Sequence, residues 1–391
     1  MLASIAIILL LGLLLGWIFS KLRLPGLLGM IIVGIILSPH ALNLLDDSIL
    51  MISGDLRQIA LVIIITRAGL SLNITDLKKV GRPAVLMCFL PACAEILGTV
   101  LLAPVLLGVT VLEAAVIGSV IAAVSPAVIV PRMIRLMEEG YGKDKRIPQL
   151  ILAGASVDDV FVIVVFTALT ALASTGDVSV VSFVQIPVSI VLGIVFGIMV
   201  GIVLVMFFKR NHMRDSVKLL IILSISFLLL ELQNRLEGIV PVSGLLAIMS
   251  MGIVIRQKYD VLASRLSVKY NKLWVGAEVF LFVLVGATVD LKYAMSAGIF
   301  AVLLIVGALV FRMAGVALSL IKTKLTKKER LFCMVAYTPK ATVQAAIGAI
   351  PLTMGLACGQ IVLTVAVLSI LITAPFGAIC VDNLYQKLLD K

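Results

Sequence analysis

The chain has 391 residues, of which 62% are hydrophobic and 14% are charged, and its mean hydropathy is +1.22. This composition excludes a soluble globular protein and places most of the chain in a bilayer. The net charge is +11, but the basic residues follow a membrane-topology pattern, so no nucleic-acid partner is expected.

Apolar runs long enough to cross a bilayer recur along the chain. A helix of about 20 apolar residues crosses the hydrocarbon core, and only helices satisfy the backbone of such runs. We predict an all-α polytopic membrane protein with about 13 transmembrane helices, near residues 2–20, 25–39, 55–72, 82–108, 111–137, 147–174, 181–208, 216–235, 240–256, 271–289, 295–321, 328–354 and 358–384. The first run lacks the basic start and cleavage site of a signal peptide, so we predict that it is retained.

Basic residues are concentrated in alternate loops. Most of the 32 Lys and Arg residues lie in one set of loops, whereas the other set holds only Arg57, Arg235 and Lys292. The positive-inside rule then predicts an outside N-terminus, a cytoplasmic C-terminus and an odd number of spans. We expect a multi-pass protein of the cell membrane, plasma or inner.

Three pairs of similar stretches indicate an internal repeat. In chain order they are GLLGMIIVGII from Gly26 with GLLAIMSMGIV from Gly244, GLSLN from Gly69 with GATVD from Gly286, and SPAV from Ser125 with TPKATV from Thr338. The offset between the two members is nearly the same in each pair. The copies lie an odd number of predicted helices apart and enter the membrane from opposite sides, which predicts an inverted-topology repeat.

Two predicted helices contain prolines at matching repeat positions. One has Ser125 and Pro126, and the other has Thr338 and Pro339. Proline removes a backbone donor and clashes with the preceding turn, so we predict that both helices break. Interrupted helices of inverted repeats form substrate sites near the membrane midplane. A simple proline kink is the alternative for either helix alone.

Glu95 and Arg312 fall inside predicted spans, and they are as far apart along the chain as Gly69 and Gly286. Their separation equals the repeat offset, so the two residues occupy equivalent positions in the two halves. A charge at the bilayer centre costs at least about 2.5–3.5 kcal/mol and therefore finds a partner. We predict an ion pair with a structural role, because arginine keeps its proton at ordinary pH.

Asp158 and Asp159 are adjacent within another predicted span. Neighbouring helical residues point about 100° apart, so both cannot pair with one group in the same way. Lys340 follows the second break, where its ammonium offsets the exposed carbonyls and pairs with one of the aspartates. The other aspartate then faces a cavity. It can hold a proton or a small hard cation such as Na⁺ or Li⁺, and this competition supports cation/proton exchange.

Four stretches resemble a known family: RAGLSL at Arg67, AAVSPAVIVP from Ala122, GYGKDKRIPQLILAGASVDDV from Gly140 and TPKATVQAAIG from Thr338. In combination they are similar to the cation/proton antiporter superfamily, most closely to its NHA branch of sodium/proton antiporters. The resemblance extends over most of the chain.

The resemblance implies an NhaA-like fold with two crossed, unwound helices and a homodimer in which a core moves like an elevator. It assigns residues 1–80 to dimerisation or scaffold helices 1–3, 81–175 to core helices 4–6, 176–210 to linker helix 7, 211–292 to dimerisation or scaffold helices 8–10, and 293–391 to core helices 11–13. It makes Asp159 the essential carboxylate for ion and proton and Asp158 the partner of Lys340. It also makes Glu95 and Arg312 a core salt bridge.

Other functions remain open to different degrees. A potassium/proton antiporter of the same superfamily is the main alternative, because cation choice depends on cavity size and dehydration cost. An intramembrane aspartyl protease would place its aspartates on facing helices, and a channel would need a filter. We expect no enzymatic activity and no cofactor, with the transported cation and membrane lipid as partners. The number of protons exchanged per cation stays undecided.

Overall fold

The computed structural model describes residues 1–72, 81–174, 180–236 and 242–391. Within these ranges the chain forms helices and no strand, which confirms the all-α prediction for the described part. The helices are α1 (Leu2–Lys21), α2 (Gly26–Leu37), α3 (Asp47–Met51), α4 (Ser53–Ser71), α5 (Arg82–Met87), α6 (Leu90–Leu107), α7 (Val111–Ile121), α8 (Pro126–Glu139), α9 (Ile147–Ser174), α10 (Val180–Arg210), α11 (Asp215–Leu236), α12 (Gly244–Lys258), α13 (Asp260–Ala287), α14 (Leu291–Ser319), α15 (Lys327–Ala336), α16 (Thr342–Ile347), α17 (Ile350–Thr353) and α18 (Gly359–Leu388).

Eight helical stretches of the described residues are long and apolar enough to cross a membrane. They are Leu2–Lys21, Arg82–Leu107, Val111–Glu139, Ile147–Ser174, Val188–Arg210, Asp260–Ala287, Gly298–Ser319 and Gly359–Leu388. Shorter apolar helices occupy Gly26–Leu37 and Thr342–Thr353. The polytopic membrane fold is thus supported, whereas the count of thirteen crossings stays a prediction. One boundary was wrong: α13 begins at Asp260, before the predicted start near residue 271.

The helices α7 and α15 begin with the same capping motif. Thr110 and Glu113 exchange hydrogen bonds at the start of α7, and Thr326 and Glu329 do so at the start of α15. A Thr-x-x-Glu box satisfies backbone donors that the first turn leaves without partners. The separation of the two boxes along the chain is close to the offsets of the sequence repeat.

Small residues let α6 and α14 approach closely. A Cβ atom built on Gly98 of α6 would lie 2.5 Å from Cγ of Phe311, and one built on Gly315 of α14 would lie 2.7 Å from Cα of Pro91. Such contacts exclude larger residues and are typical of packing between membrane helices. They bring the helices that carry Glu95 and Arg312 together.

The chain divides into two compact units. The first comprises Met1–Gly54, Thr75–Val162 and Val279–Lys391, and the second comprises Asp55–Ile74 and Ile163–Glu278. Buried side chains that include Met133, Phe332 and Tyr385 form an apolar cluster within the first unit. In the second unit, α12 packs against α10 and α11. The predicted division into dimerisation, linker and core segments is a division by role, and it stays a prediction.

Candidate ion-binding site

The two proline-containing stretches interrupt helices and contact each other. The helix α7 ends at Ile121 and α8 begins at Pro126, where proline is favoured because a first-turn residue needs no backbone donor. The helix α15 ends at Ala336, ahead of Pro339, and α16 begins at Thr342. We call residues 122–125 the first break and residues 337–341 the second break.

A backbone hydrogen bond joins the breaks directly. The amide N–H of Ser125 donates to the carbonyl oxygen of Pro339 at 2.8 Å. The side chains of Ser125 and Thr338 are both buried, and the Thr338 hydroxyl donates to the carbonyl of Val335 within its own segment. The structure therefore brings together the four predicted residues Ser125, Pro126, Thr338 and Pro339 in a single region.

Four charged side chains meet beside the breaks, and we call Glu95, Asp158, Arg312 and Lys340 the buried ion network. Arg312 Nη1 lies 2.9 Å from Glu95 Oε2, and Arg312 Nη2 lies 2.8 Å from Asp158 Oδ2. Lys340 Nζ lies 2.5 Å from the same Glu95 oxygen. All four side chains are at most 1% exposed. Burial at this level requires paired charges, because an unmatched ion costs several kcal/mol or more.

Arg312 also contacts the carbonyl end of each interrupted helix. Its Nε donates to the carbonyl of Tyr337 at 2.6 Å, and its Nη1 donates to the carbonyl of Ala122. The last carbonyls of a helix have no intrahelical partners and carry the negative end of the helix dipole. One guanidinium thus contacts two carboxylates and both helix ends, which its planar set of five donors allows.

The predicted pairing of Asp158 with Lys340 differs from the contacts observed. Asp158 Oδ2 instead accepts from Arg312 and from the backbone N–H of Val124 at 2.9 Å, while the Lys340 ammonium contacts Glu95. The backbone N–H of Lys340 donates to the Thr373 hydroxyl at 2.8 Å. The compact ammonium lacks the five donors of the arginine fork, and it is Arg312 that donates to the carbonyl of Tyr337 at the second break, where the sequence had predicted the Lys340 ammonium.

Glu95 and Arg312 are in contact, as their spacing in the repeat predicts. Asp159 follows Asp158 on α9 and is partly exposed, whereas Asp158 is fully buried. Asp158 Oδ1 and Ser125 Oγ are buried oxygens without a hydrogen-bond partner among the described residues. The neighbourhood of the first break therefore holds a carboxylate oxygen and a hydroxyl oxygen that remain available to a ligand.

Sequence reasoning missed one polar side chain of this region. Gln344 on α16 is buried, and its amide donates to the carbonyl of Ala123 at 2.8 Å. A signal was present, because a glutamine stands alone among small and apolar residues after the second break. The paired capping boxes were also missed, although their spacing along the sequence is close to the repeat offset.

The chain is similar to known proteins in sequence and in fold. A family model described as "Sodium/hydrogen exchanger, transmembrane" matches residues 5–384. The chain belongs to the sodium/hydrogen exchanger family. This membership confirms the resemblance to the cation/proton antiporter superfamily, and with the apolar helices it identifies this exchanger family member as a multi-pass membrane protein.

Several curated relatives of this exchanger family member match along nearly all of it. Sodium/hydrogen exchanger 9B2 of Homo sapiens is 32% identical over 385 residues, which cover 94% of this chain and 70% of the relative. The 9B2 protein of Mus musculus is 30% identical over 381 residues, with 94% and 69% covered. Sodium/hydrogen exchanger 9B1 of Homo sapiens is 30% identical over 392 residues, with 94% and 73% covered.

A solved structure shares the fold. The sodium proton antiporter MjNhaP1 from Methanocaldococcus jannaschii at pH 8 superposes with a TM-score of 0.86, covering 100% of this chain and 99% of that one. The sequence identity is 22%. The TM-score establishes a common fold, and at this sequence identity the likeness is one of fold alone.

Proposed function

We propose that the protein exchanges Na⁺ or Li⁺ for H⁺ across a membrane, at a site that contains Asp158 and Asp159. The aspartate pair at the buried ion network carries the proposal. Within this network, Glu95 and Asp158 are balanced by Arg312 and Lys340. Asp159 is the adjacent, partly exposed carboxylate on α9. Carboxylates inside a membrane mark ion and proton pathways, so we propose that this one takes a proton or a monovalent cation.

The oxygen atoms near the first break suit a small, hard cation. Such cations prefer carboxylate, hydroxyl and carbonyl oxygens. Asp158 Oδ1 and Ser125 Oγ are buried oxygens of this kind. The described ranges contain no group of three or more His, Cys, Asp or Glu side chains able to hold a metal. We propose that a cation here takes its charge compensation from the aspartate pair, with neutral oxygens completing its coordination.

The two aspartates then have different roles. Asp158 is fixed by Arg312 and by the N–H of Val124, so we propose that it shapes the site and contributes an oxygen. Asp159 is partly exposed, and we propose that it carries either the proton or the cation. Because one site takes one or the other, alternating exposure to the two sides of the membrane produces antiport.

We also propose the architecture that such transport needs: about thirteen spans, an inverted repeat with crossed broken helices, an outside N-terminus and a cytoplasmic C-terminus in the cell membrane. The contact between the breaks and the capping boxes at repeat-like spacing support it. We propose a homodimer in lipid, with residues 1–80 and 211–292 as the scaffold, 176–210 as the linker, and 81–175 and 293–391 as the moving core. The names of the curated relatives and of MjNhaP1 support sodium and proton as substrates.

A protease role lacks support, because Asp158 and Asp159 are adjacent on one helix and Asp158 is held by Arg312. A potassium/proton antiporter is the main alternative, so the transport assay must distinguish K⁺ from Na⁺.

The proposal is tested in proteoliposomes that contain a pH-sensitive dye. We expect added Na⁺ or Li⁺ to discharge an imposed proton gradient, and we expect Asp159→Asn to abolish this exchange while the protein remains folded. Asp260→Asn, at a position 68% exposed, is the matched control and should retain exchange. Parallel measurements with K⁺, and with and without a membrane voltage, identify the cation and the net charge moved. Full exchange by Asp159→Asn would contradict the proposal.

A further inference from the structure

The side chain of Gln344 joins the two breaks. Its Oε1 accepts from the backbone N–H of Ala341 at 2.8 Å, in the second break. Its Nε2 donates across to the carbonyl of Ala123 at 2.8 Å, in the first break, and to that of Ile121 at 3.5 Å, at the end of α7. Gln344 is 1% exposed. A buried amide with donor and acceptor both engaged has one defined orientation.

These contacts determine which oxygens at the first break remain available. The carbonyls of Ile121 and Ala123 accept from Gln344, and the carbonyl between them, that of Ala122, accepts from Arg312. A donor hydrogen aimed at a carbonyl weakens it as a cation ligand, because the hydrogen carries positive charge. By contrast, Ser125 Oγ and Asp158 Oδ1 accept no hydrogen bond from the described residues. Gln344 and Arg312 therefore engage three consecutive backbone carbonyls at the first break, while these two side-chain oxygens remain available.

We infer that Gln344 is a specificity-determining residue that withholds the carbonyls of Ile121 and Ala123 from the transported cation. This inference rests on the proposed function and deepens it. Potassium is commonly bound by several backbone carbonyls that replace its hydration shell. A site in which the carbonyls of residues 121–123 are already engaged offers fewer backbone ligands, so it favours the smaller Na⁺ and Li⁺, which gain more from each charged oxygen at short range. Gln344 acts through the backbone and does not itself contact the cation.

The test measures the ratio of the KM for K⁺ to the KM for Na⁺ in the proteoliposome assay. Gln344→Met keeps an unbranched side chain and removes the amide. We expect the ratio to fall by at least about fivefold, the change in an equilibrium constant that corresponds to one net hydrogen bond. Competition with protons affects both cations alike, so it cancels in the ratio.

A second variant keeps the inference testable if Gln344→Met fails to fold. Gln344→Glu retains the acceptor for the Ala341 N–H, and its carboxyl group donates to the carbonyls of Ile121 and Ala123 only when protonated. We expect its KM ratio to approach that of the parent protein in acid and to fall as the pH rises. The parent ratio should stay constant over the same range. A ratio that stays constant with pH in this variant, as in the parent protein, would count against the inference.

Ser319→Ala is the matched control for a lost buried hydrogen bond. The Ser319 hydroxyl is buried and donates only within its own helix, to the carbonyl of Gly315 at 2.8 Å, so the KM ratio should not change. An unchanged ratio in an active Gln344 variant would overturn the inference and leave the proposed function standing. Absence of any cation-dependent proton flux in the parent protein would overturn both.

Discussion

Two sets of ion pairs in this protein use the same residue types but differ in their access to water. The buried ion network has side chains that are at most 1% exposed. We call Arg132–Asp382 and Lys145–Glu329 the peripheral ion pairs, and in each at least one partner reaches solvent, as Lys145 does at 32% exposure. Water can replace a lost partner at the periphery but not within the network. The same type of substitution should therefore lower the free energy of unfolding more in the buried ion network than in a peripheral ion pair.

The largest effect is expected for Arg312→Met. The substitution leaves two buried carboxylates, Glu95 and Asp158, with the Lys340 ammonium as the one remaining cation of the buried ion network. It also removes the hydrogen bonds that the guanidinium donates to carbonyls at two helix ends. We expect the free energy of unfolding to fall by about 3–5 kcal/mol. Reversible unfolding in detergent micelles measures it.

Arg235→Met is the matched control for Arg312→Met. Arg235 pairs with Glu231 one turn away on the same helix, and their side chains are 77% and 52% exposed. The loss should stay below about 0.5 kcal/mol. Equal losses in the two arginine variants would remove the distinction between buried and solvent-accessible pairs.

A smaller effect is expected for Lys340→Met, because Glu95 keeps its contact with Arg312. We expect a loss of about 2–3 kcal/mol, below the range for a fully stranded charge. Double-mutant cycles then test the observed pairing. Coupling of Lys340→Met with Glu95→Gln should exceed its coupling with Asp158→Asn, since the ammonium contacts Glu95 and Asp158 pairs with Arg312. The reverse order would restore the pairing of Lys340 with Asp158 that the family resemblance implied.

Glu329→Gln probes a peripheral pair that is only partly screened. Both Glu329 carboxylate oxygens accept from Lys145 Nζ, at 2.9 and 2.8 Å, and one also accepts from the N–H of Thr326. We expect the free energy of unfolding to fall by about 1–2 kcal/mol, because hydrogen bonds to charged groups are stronger than hydrogen bonds between neutral groups. Glu139→Gln, which removes a more exposed pairing with Arg135, should cost less. A larger loss for Glu139→Gln would contradict the dependence on solvent access.

The smallest effect at neutral pH is expected for Asp46→Ala, in the loop before α3. Hydrogen bonds from the Ser48 side chain and backbone, together with the N-terminal ammonium, lower the pKa of Asp46 from its ordinary value of 3.8 to about 2. A carboxyl group with a lowered pKa stabilises the folded state at pH values above its ordinary pKa, and this stabilisation is lost as the pH falls through about 2. The melting temperatures of parent and variant should therefore differ slightly at neutral pH and converge in strong acid. A difference that grows as the pH falls would be inconsistent with this sign.

Hydropathy and local chemistry predicted much of this structure. Long apolar runs specify membrane helices because the bilayer leaves the backbone no other solution. Pro126 and Pro339 indicated the places where helices end and begin, because proline acts on its own helix. The repeat offset predicted the contact of Glu95 with Arg312, and the inverted repeat itself stays a prediction.

The pairing of individual side chains was less accessible from the sequence. The sequence predicted that Lys340 pairs with one of the two aspartates, whereas its ammonium contacts Glu95. The partner depends on how far Arg312 reaches, which no spacing along the chain reveals. The role of Gln344 was missed for the same reason, because its partners Ile121 and Ala123 are distant from it in the sequence. Helix length was also misjudged at α13, where charged residues after Asp260 continue a helix beyond the apolar run.

The most direct test of the central claim, that one site holds either a proton or a cation, is the effect of Na⁺ on thermal unfolding at several pH values. A ligand that binds only the folded state stabilises it by an amount that depends on its affinity. We predict that Na⁺ raises the melting temperature at alkaline pH, that this effect disappears in acid as protons occupy the site, and that Asp159→Asn lacks it at every pH. Stabilisation by Na⁺ that is independent of pH, or that persists in Asp159→Asn, would contradict the account.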